Sequence, residues 1–128
     1  MYLLDTDVCV WLLRGREPVV SAVRAHSPGD LAIGSMTEAE LWFGVRKGRV
    51  EANLLATKRF IDEIGTVLPF GSAAAKIHAQ VRFALRSTPI SDRDLVIAST
   101  ALASDRTLVT GNLREFSRVP GLQVESWT

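Results

Sequence analysis

The chain has 128 residues, enough for one domain that buries most of the surface its unfolded form exposes. Its composition, 47% hydrophobic and 23% charged residues, is that of a folded globular domain, and a net charge of +1 excludes a protein that coats nucleic acid with a uniformly basic surface. Apolar runs such as residues 8–13 are too short to cross a membrane, Cys9 is the only cysteine, and no signal segment opens the sequence. We therefore expect a cytoplasmic protein without disulfides.

Short apolar runs alternate with longer helical stretches along the sequence. The predicted strands are residues 2–4, 31–34, 66–68, 107–110 and 122–125. The predicted helices are residues 7–14, 19–26, 37–49, 53–64, 72–87 and 91–103. Strands that alternate with helices predict an α/β fold, with a mostly parallel sheet of four or five strands covered by helices on both faces. We expect a single domain over residues 1–128.

Three acidic residues lie where a parallel sheet can bring them together. Asp5 directly follows the first strand, and Glu40 and Asp94 each lie near the start of an apolar helix. Open α/β sheets place their functional groups at the carboxyl ends of the strands, so we expect these carboxylates to converge. Asp5 should be partly buried, and a buried carboxylate needs a partner or a metal. Oxygen ligands without a nearby imidazole or thiolate favour Mg²⁺ or Mn²⁺.

Each acid also has a purely structural interpretation. Thr37 and Glu40 fit a capping box at the start of a helix, and Ser91 fits the N-cap of the helix that contains Asp94. Asp5 or its neighbour two residues on could cap the first helix. Since one cap is sufficient for each helix, and a Ser or Thr already supplies two of them, the three acids together favour a functional site.

Two neighbouring acids compete with these candidates. Glu38 and Glu40 point to different sides of a helix, and Glu40 is the better candidate because it precedes Gly44, where close approach is easiest, by one turn. Asp94 belongs to the first turn of its helix, whereas Asp92 is predicted to lie in a loop.

Basic residues cluster at the end of the helix that contains Glu40. These are Arg46, Lys47 and Arg49. They are equally consistent with a solvated helix C-terminus favoured by the macrodipole and with contacts to the phosphates of a bound ligand.

Four segments of the sequence, in this order, resemble the PIN-domain ribonucleases, and most closely the VapC-type toxins of bacterial type II toxin–antitoxin pairs. They are Leu-Leu-Asp-Thr-Asp at 3–7, Thr-Glu-Ala-Glu-Leu-Trp-Phe-Gly at 37–44, Asp-Leu-Val-Ile-Ala at 94–98 and Leu-Val-Thr-Gly-Asn-Leu-Arg-Glu-Phe at 108–116. The resemblance implies a three-layer α/β/α domain and a metal-dependent endoribonuclease that cleaves a structured RNA, often a tRNA, to inhibit translation. It also implies a homodimer and a cognate VapB-type antitoxin that forms a higher assembly with the toxin.

The resemblance further assigns roles to residues. Asp5, Glu40 and Asp94 match the three acidic positions that bind Mg²⁺ or Mn²⁺ and support catalysis. Thr6 matches the hydroxyl residue that supports the first acid.

At the fourth acidic position the sequence departs from the family pattern. That position falls on Asn112, so Asn112 and the nearby Glu115 are additional candidate ligands, and Thr110 is a candidate supporting residue. A second tightly held metal is therefore in doubt. Asp7 also differs from the Asn or Ser usual at its position.

Other functions remain open from the sequence. A haloacid-dehalogenase-like phosphatase would use Asp5 as nucleophile and Asp7 as general acid, but it needs a downstream Lys and a late acidic pair. A receiver domain would need an Asp after the third strand, where Leu68-Pro69-Phe70 stands instead. A non-catalytic PIN module is conceivable because of Asn112.

Overall fold

The computed structural model describes residues 1–48 and 50–128. At residues 50–52 it describes the backbone only. The strands are β1 Tyr2–Leu4, β2 Leu31–Gly34, β3 Val67–Leu68, β4 Thr107–Val109 and β5 Val124–Glu125. The α-helices are α1 Thr6–Leu13, α2 Val19–Arg24, α3 Ser35–Lys47, α4 Val50–Ile64, α5 Ser72–Ala84, α6 Asp92–Ala103 and α7 Leu113–Phe116. None of the helices in these ranges is both long and apolar enough for a membrane span. Arg49, predicted to contact RNA, lies outside the described residues.

The five strands form one parallel sheet in the order β3-β2-β1-β4-β5, which confirms the predicted fold class. In the central register Leu3 pairs with Ala32 on one side and Leu108 on the other. From β1 the chain builds the sheet outward through β2 and β3, and it later returns to place β4 on the other side of β1. The strand order therefore reverses between β1 and β4, and such a switch point leaves a crevice at the carboxyl ends of the strands.

Alternate strand residues face two separate cores, which confirms the three-layer architecture. Leu3 and Leu108 pack with residues of α5, α6 and α7. Leu4 and Val109 pack on the opposite face with residues of α1, α2 and α4. Because both faces of the sheet are covered, β2 is buried at every position rather than at alternate ones.

Helix α3 begins two residues earlier than predicted. Gly34 ends β2 and is also the N-cap of α3, without a side-chain capping bond. The capping box assigned to Thr37 and Glu40 is therefore wrong, because both residues lie inside the helix. Thr37 is fully buried and points its hydroxyl toward α1.

Candidate active site

The carboxylate of Asp5 lies in the crevice between β1 and β4. Its backbone N–H donates to Val109 O at 2.9 Å, which extends the pairing of the two strands by one residue. One side-chain oxygen, Oδ1, accepts the N–H of Thr6 at 2.8 Å, so Asp5 is the N-cap of α1. The other, Oδ2, accepts the hydroxyl of Thr110 at 2.8 Å. Only 6% of Asp5 is exposed.

This environment disfavours the charged form of Asp5. Burial raises its pKa from 3.8 to about 7, and the charges of Asp7 and Asp94 add to the rise. The hydrogen bonds from Thr110 and Thr6 act in the opposite direction but do not compensate. A buried acid whose charged neighbours are also acids is expected where a cation binds.

Glu40 is held by contacts to both of its oxygens. The Thr6 hydroxyl donates to Oε1 at 2.8 Å, and Thr37 Oγ1 lies 3.1 Å from the same hydroxyl. Arg93 Nη1 lies 2.7 Å from Oε2 and forms an ion pair with it. The amide of Thr6 thus supports the first acid, Asp5, while its hydroxyl serves the second.

Asp94 enters the site from the first turn of α6. Ser91 is the N-cap of this helix as predicted, and its Oγ accepts the N–H of Asp94 at 3.2 Å. Burial raises the pKa of Asp94, and the charges of Glu115 and Glu40 raise it further. Asp94 therefore interacts electrostatically with Glu115 and Glu40, and its own charge raises the pKa of Asp5.

The two competing acids lie elsewhere. Glu38 Oε2 accepts the indole N–H of Trp42 at 3.0 Å on the same helix. Asp92 is exposed, but it is the first residue of α6 and not a loop residue as predicted. Each of them lies two residues, and so about 200° around the helix, from the candidate beside it.

A second acid of α1 connects that helix to the loop after β4. Asp7 Oδ2 accepts the N–H of Gly111 at 3.0 Å, and burial raises the pKa of Asp7. A Cβ on Gly111 would overlap Trp11 and would lie 2.9 Å from Asp7 Oδ2. The next residue, Asn112, donates its N–H to Thr110 Oγ1 at 2.9 Å. These contacts fix the turn after β4, and Asn112 lines a cavity there together with Glu115.

Two contacts near the candidate site were not predicted from the sequence. The first is the contact of Asp7 with Gly111, for which the signal was the pair of acids, Asp5 and Asp7, at the start of α1. The second is the ion pair of Arg93 with Glu40, which local patterns could not indicate because the two residues are 53 positions apart.

Of the predicted basic residues, one borders the site. Lys47 lines a cavity of about 510 Å³ together with Thr6, Glu40 and Arg93, and its Nζ lies 4.9 Å from the centroid of the Phe43 ring. Arg46 borders a different cavity beside Trp42.

The donor set matches a hard divalent cation in type and charge, but it is not assembled as a ligand cage. Within residues 1–48 and 50–128, no three His, Cys, Asp or Glu side chains are arranged to hold a metal ion. The contacts of Thr6 and Arg93 to Glu40 occupy both oxygens of that carboxylate. The groups that converge here are carboxylates and hydroxyls, which prefer Mg²⁺ or Mn²⁺.

The comparisons with known proteins agree with this fold. The family model for the PIN domain matches residues 2–122. The chain is 33% identical to the tRNA(fMet)-specific endonuclease VapC of Shigella flexneri over 99% of this chain and 98% of that protein. It is 31% identical to ribonuclease VapC2 of Rickettsia felis over 99% and 98% of the two chains.

Solved structures give the same result. The DNA-bound VapBC of Salmonella typhimurium contains a chain that matches with a TM-score of 0.92 and 32% identity, over 99% of this chain and 98% of that one. VapBC2 of Rickettsia felis, bound to a DNA fragment from its promoter, matches with a TM-score of 0.91 and 30% identity, over the same shares. The chain belongs to the PIN-domain family and, within it, to the VapC ribonucleases. The phosphatase and receiver alternatives have no support.

Proposed function

We propose that this protein is a metal-dependent endoribonuclease and that Asp5, Glu40 and Asp94 are its catalytic residues and hold Mg²⁺ or Mn²⁺. The observation that carries the proposal is the buried carboxylate of Asp5, only 6% exposed and with its pKa raised to about 7 beside two other acids. A bound cation would supply a more acidic water for attack on phosphorus and would neutralise the scissile phosphate.

The residues of this chain orient the acids for that task. Thr110 fixes one oxygen of Asp5, Thr6 fixes one oxygen of Glu40, and the Ser91 cap fixes the turn that contains Asp94. Because these supports are hydrogen bonds from hydroxyl or amide groups, they bring no positive charge that would compete with a cation.

Glu115 is the better candidate for the fourth acidic position. Asn112 is neutral and uses its backbone N–H to hold Thr110. Glu115 is acidic, and its charge raises the pKa of Asp94. We therefore propose Glu115 as an accessory ligand at the edge of the site, with Asn112 as a neutral oxygen donor.

The relatives suggest the substrate and the partners. We propose that this protein cleaves a structured RNA such as tRNA, which inhibits translation and growth, because the Shigella flexneri relative is a tRNA(fMet)-specific endonuclease. We also propose a cognate VapB-type antitoxin, since the matching solved structures are VapBC complexes. In the cytoplasm, we expect a homodimer that joins the antitoxin in a larger assembly.

Cleavage of a tRNA pool by the purified protein tests the proposal. Cleavage should require Mg²⁺ or Mn²⁺ and should stop when EDTA is added. Asp94→Asn should lower the rate by roughly 100-fold or more, because it removes a metal ligand worth several kcal/mol in the transition state. Asp92→Asn is the matched control, since it removes the same charge two residues away from an exposed position.

Asp94→Asn and Asp92→Asn must differ in their rates of cleavage for the proposal to hold. Equal loss in both would mean that charge alone matters, and full activity of Asp94→Asn or of the protein in EDTA would reject a metal site built on these acids. Glu40→Gln and Glu38→Gln form a second matched pair on α3.

A further inference from the structure

Arg93 brings a cation into a site otherwise dominated by acids. It directly precedes Asp94 in the first turn of α6, and its Nη1 lies 2.7 Å from Glu40 Oε2. The side chain is nevertheless 67% exposed. Exposed ion pairs contribute little to stability, because solvent screens them and two long side chains lose conformational freedom. The contact with Glu40 is therefore easily exchanged for another anion.

The geometry of the contact leaves donors of Arg93 for a second anion. A guanidinium carries five N–H donors in a planar fork that matches the oxygens of a phosphate. The ion pair with Glu40 uses Nη1. The same side chain can therefore turn its fork toward a phosphate beside the acids, where a bidentate contact is stronger than the exposed ion pair.

The surroundings of Arg93 suit a polyanion. It lines the cavity of about 510 Å³ that also includes Thr6 and Glu40, and two further cations, Arg14 and Lys47, line the same cavity. Three cations along one concave surface give the charge pattern that a nucleic-acid backbone requires.

We propose that Arg93 binds a phosphate of the RNA substrate next to the cleaved bond, and that its ion pair with Glu40 is the arrangement of the substrate-free site. The inference rests on the proposed ribonuclease function. It makes Arg93 a substrate-binding residue of this chain. The competing explanation is that Arg93 only neutralises Glu40 and never contacts RNA.

A double-mutant cycle separates the two explanations. The probe is a fluorescein-labelled single-stranded oligouridylate, and its affinity is measured by fluorescence anisotropy in EDTA, so that no cleavage occurs. The four proteins are the parent, Arg93→Gln, Glu40→Gln and the double variant Glu40→Gln/Arg93→Gln. Each is measured between about 50 and about 200 mM KCl to obtain the salt dependence of binding.

If Arg93 contacts phosphate, Glu40→Gln should tighten binding, because it frees the guanidinium and removes a negative charge. The double variant should then bind roughly tenfold more weakly than Glu40→Gln, as expected for loss of a charge-assisted hydrogen bond. Its salt slope should be smaller by about 0.7, the value for one phosphate contact on a single strand. Arg93→Lys in the Glu40→Gln background should recover part of the affinity.

A matched control removes a charge at a distance. Arg24 is exposed at the end of α2, near His26, which packs against Tyr2 at the opposite end of β1 from Asp5. Glu40→Gln/Arg24→Gln should therefore bind like Glu40→Gln. Thermal unfolding of all variants checks that they are folded.

Three results would overturn the inference. One is equal affinity and equal salt slope for Glu40→Gln and Glu40→Gln/Arg93→Gln, which would show that Arg93 acts only through Glu40. Another is the same loss in the Arg24 control. The third is failure of every protein to bind the probe while the parent also fails to cleave RNA, which would reject the ribonuclease proposal as well. Normal cleavage by the parent together with either of the first two results rejects only the role of Arg93.

Discussion

The two ends of strand β1 affect the stability of the fold in opposite directions. At its start, the Tyr2 ring packs edge-on against His26 and Trp127 at centroid distances of 4.9 and 5.1 Å, and the latter two rings stack on each other. Directly after its end, Asp5 is buried with two other acids as charged neighbours. Burial of rings lowers the free energy of the fold, whereas burial of a carboxylate raises it. This difference supports the proposal that the carboxyl end of β1 is the functional end, since a bound cation would offset the cost of burying the carboxylate.

Removal of the buried carboxylate of Asp5 should give the largest change in the free energy of unfolding. The pKa of Asp5 is raised from 3.8 to about 7, so between these values the folded, metal-free protein holds a proton that the unfolded chain releases. The contribution of Asp5 to the free energy of unfolding is thus most favourable below pH 3.8. It falls as the pH rises from there through about 7, by up to roughly 4 kcal/mol in total. Asp5→Asn should abolish this loss in EDTA, as measured by urea unfolding at about pH 5 and about pH 8.

The control for this prediction is Asp62→Asn, which removes an exposed acid of α4. Its unfolding free energy should follow the parent at both pH values. Parallel pH profiles for the parent and Asp5→Asn would show that the carboxylate of Asp5 is not destabilising, and the contrast between the two ends of β1 would not hold.

The opposite end of β1 is tested by Trp127→Ala. Loss of the partly buried ring from the cluster with Tyr2 and His26 should reduce the free energy of unfolding by about 2 kcal/mol. Cleavage and the pH dependence from Asp5 should remain as in the parent, because the ring lies at the other end of the strand. Trp127→Phe should lose less than half as much stability as Trp127→Ala. If Trp127→Ala were as stable as the parent, the cluster would have no stabilising role.

The loop after β4 is tested by Gly111→Ala. The added Cβ would overlap Trp11 and crowd Asp7, so the substitution should cost about 2 kcal/mol and displace the turn that leads to Asn112. Cleavage should fall together with stability. Gly29→Ala is the control, because a Cβ there meets nothing within 4 Å. Equal behaviour of the two variants would show that Gly111 is not tightly packed.

Removal of the Thr110 hydroxyl should give the smallest change in the free energy of unfolding. Thr110→Val deletes the hydrogen bond to Asp5 Oδ2, a bond that lowers the pKa of Asp5, and also the one that Thr110 accepts from the N–H of Asn112. We expect a loss of about 1 kcal/mol at about pH 8, where Asp5 is charged, and a smaller loss at about pH 5. The midpoint of the pH–stability curve should move to higher pH, while Thr110→Ser should keep it in place. An unmoved midpoint in Thr110→Val would mean that the bond does not affect the charge on Asp5.

Local features of the site were predictable from the sequence. A buried strand followed by an acid identified Asp5, and Ser91 three residues before Asp94 identified a helix cap, because both depend only on neighbouring residues. The predicted start of helix α3 was wrong. The helix follows β2 directly at Gly34, without the side-chain cap that Thr37 and Glu40 suggested.

Contacts between distant parts of the chain were not predictable. Arg93 meets Glu40 across 53 positions, and Asp7 meets Gly111 across 104 positions. Periodicity and capping patterns contain no information on such pairs, which depend on the strand order of the sheet. The order in which β4 returns beside β1 creates the site.

The most direct test of the central claim is calorimetric titration of Mn²⁺ into the parent and into Asp5→Asn at about pH 7. If the acids around Asp5 form a cation site, the parent should bind Mn²⁺ and release part of a proton, because a ligand with a pKa of about 7 must lose it. Asp5→Asn should bind far more weakly and release none. Equal binding by the two proteins, or no binding by the parent, would contradict the account.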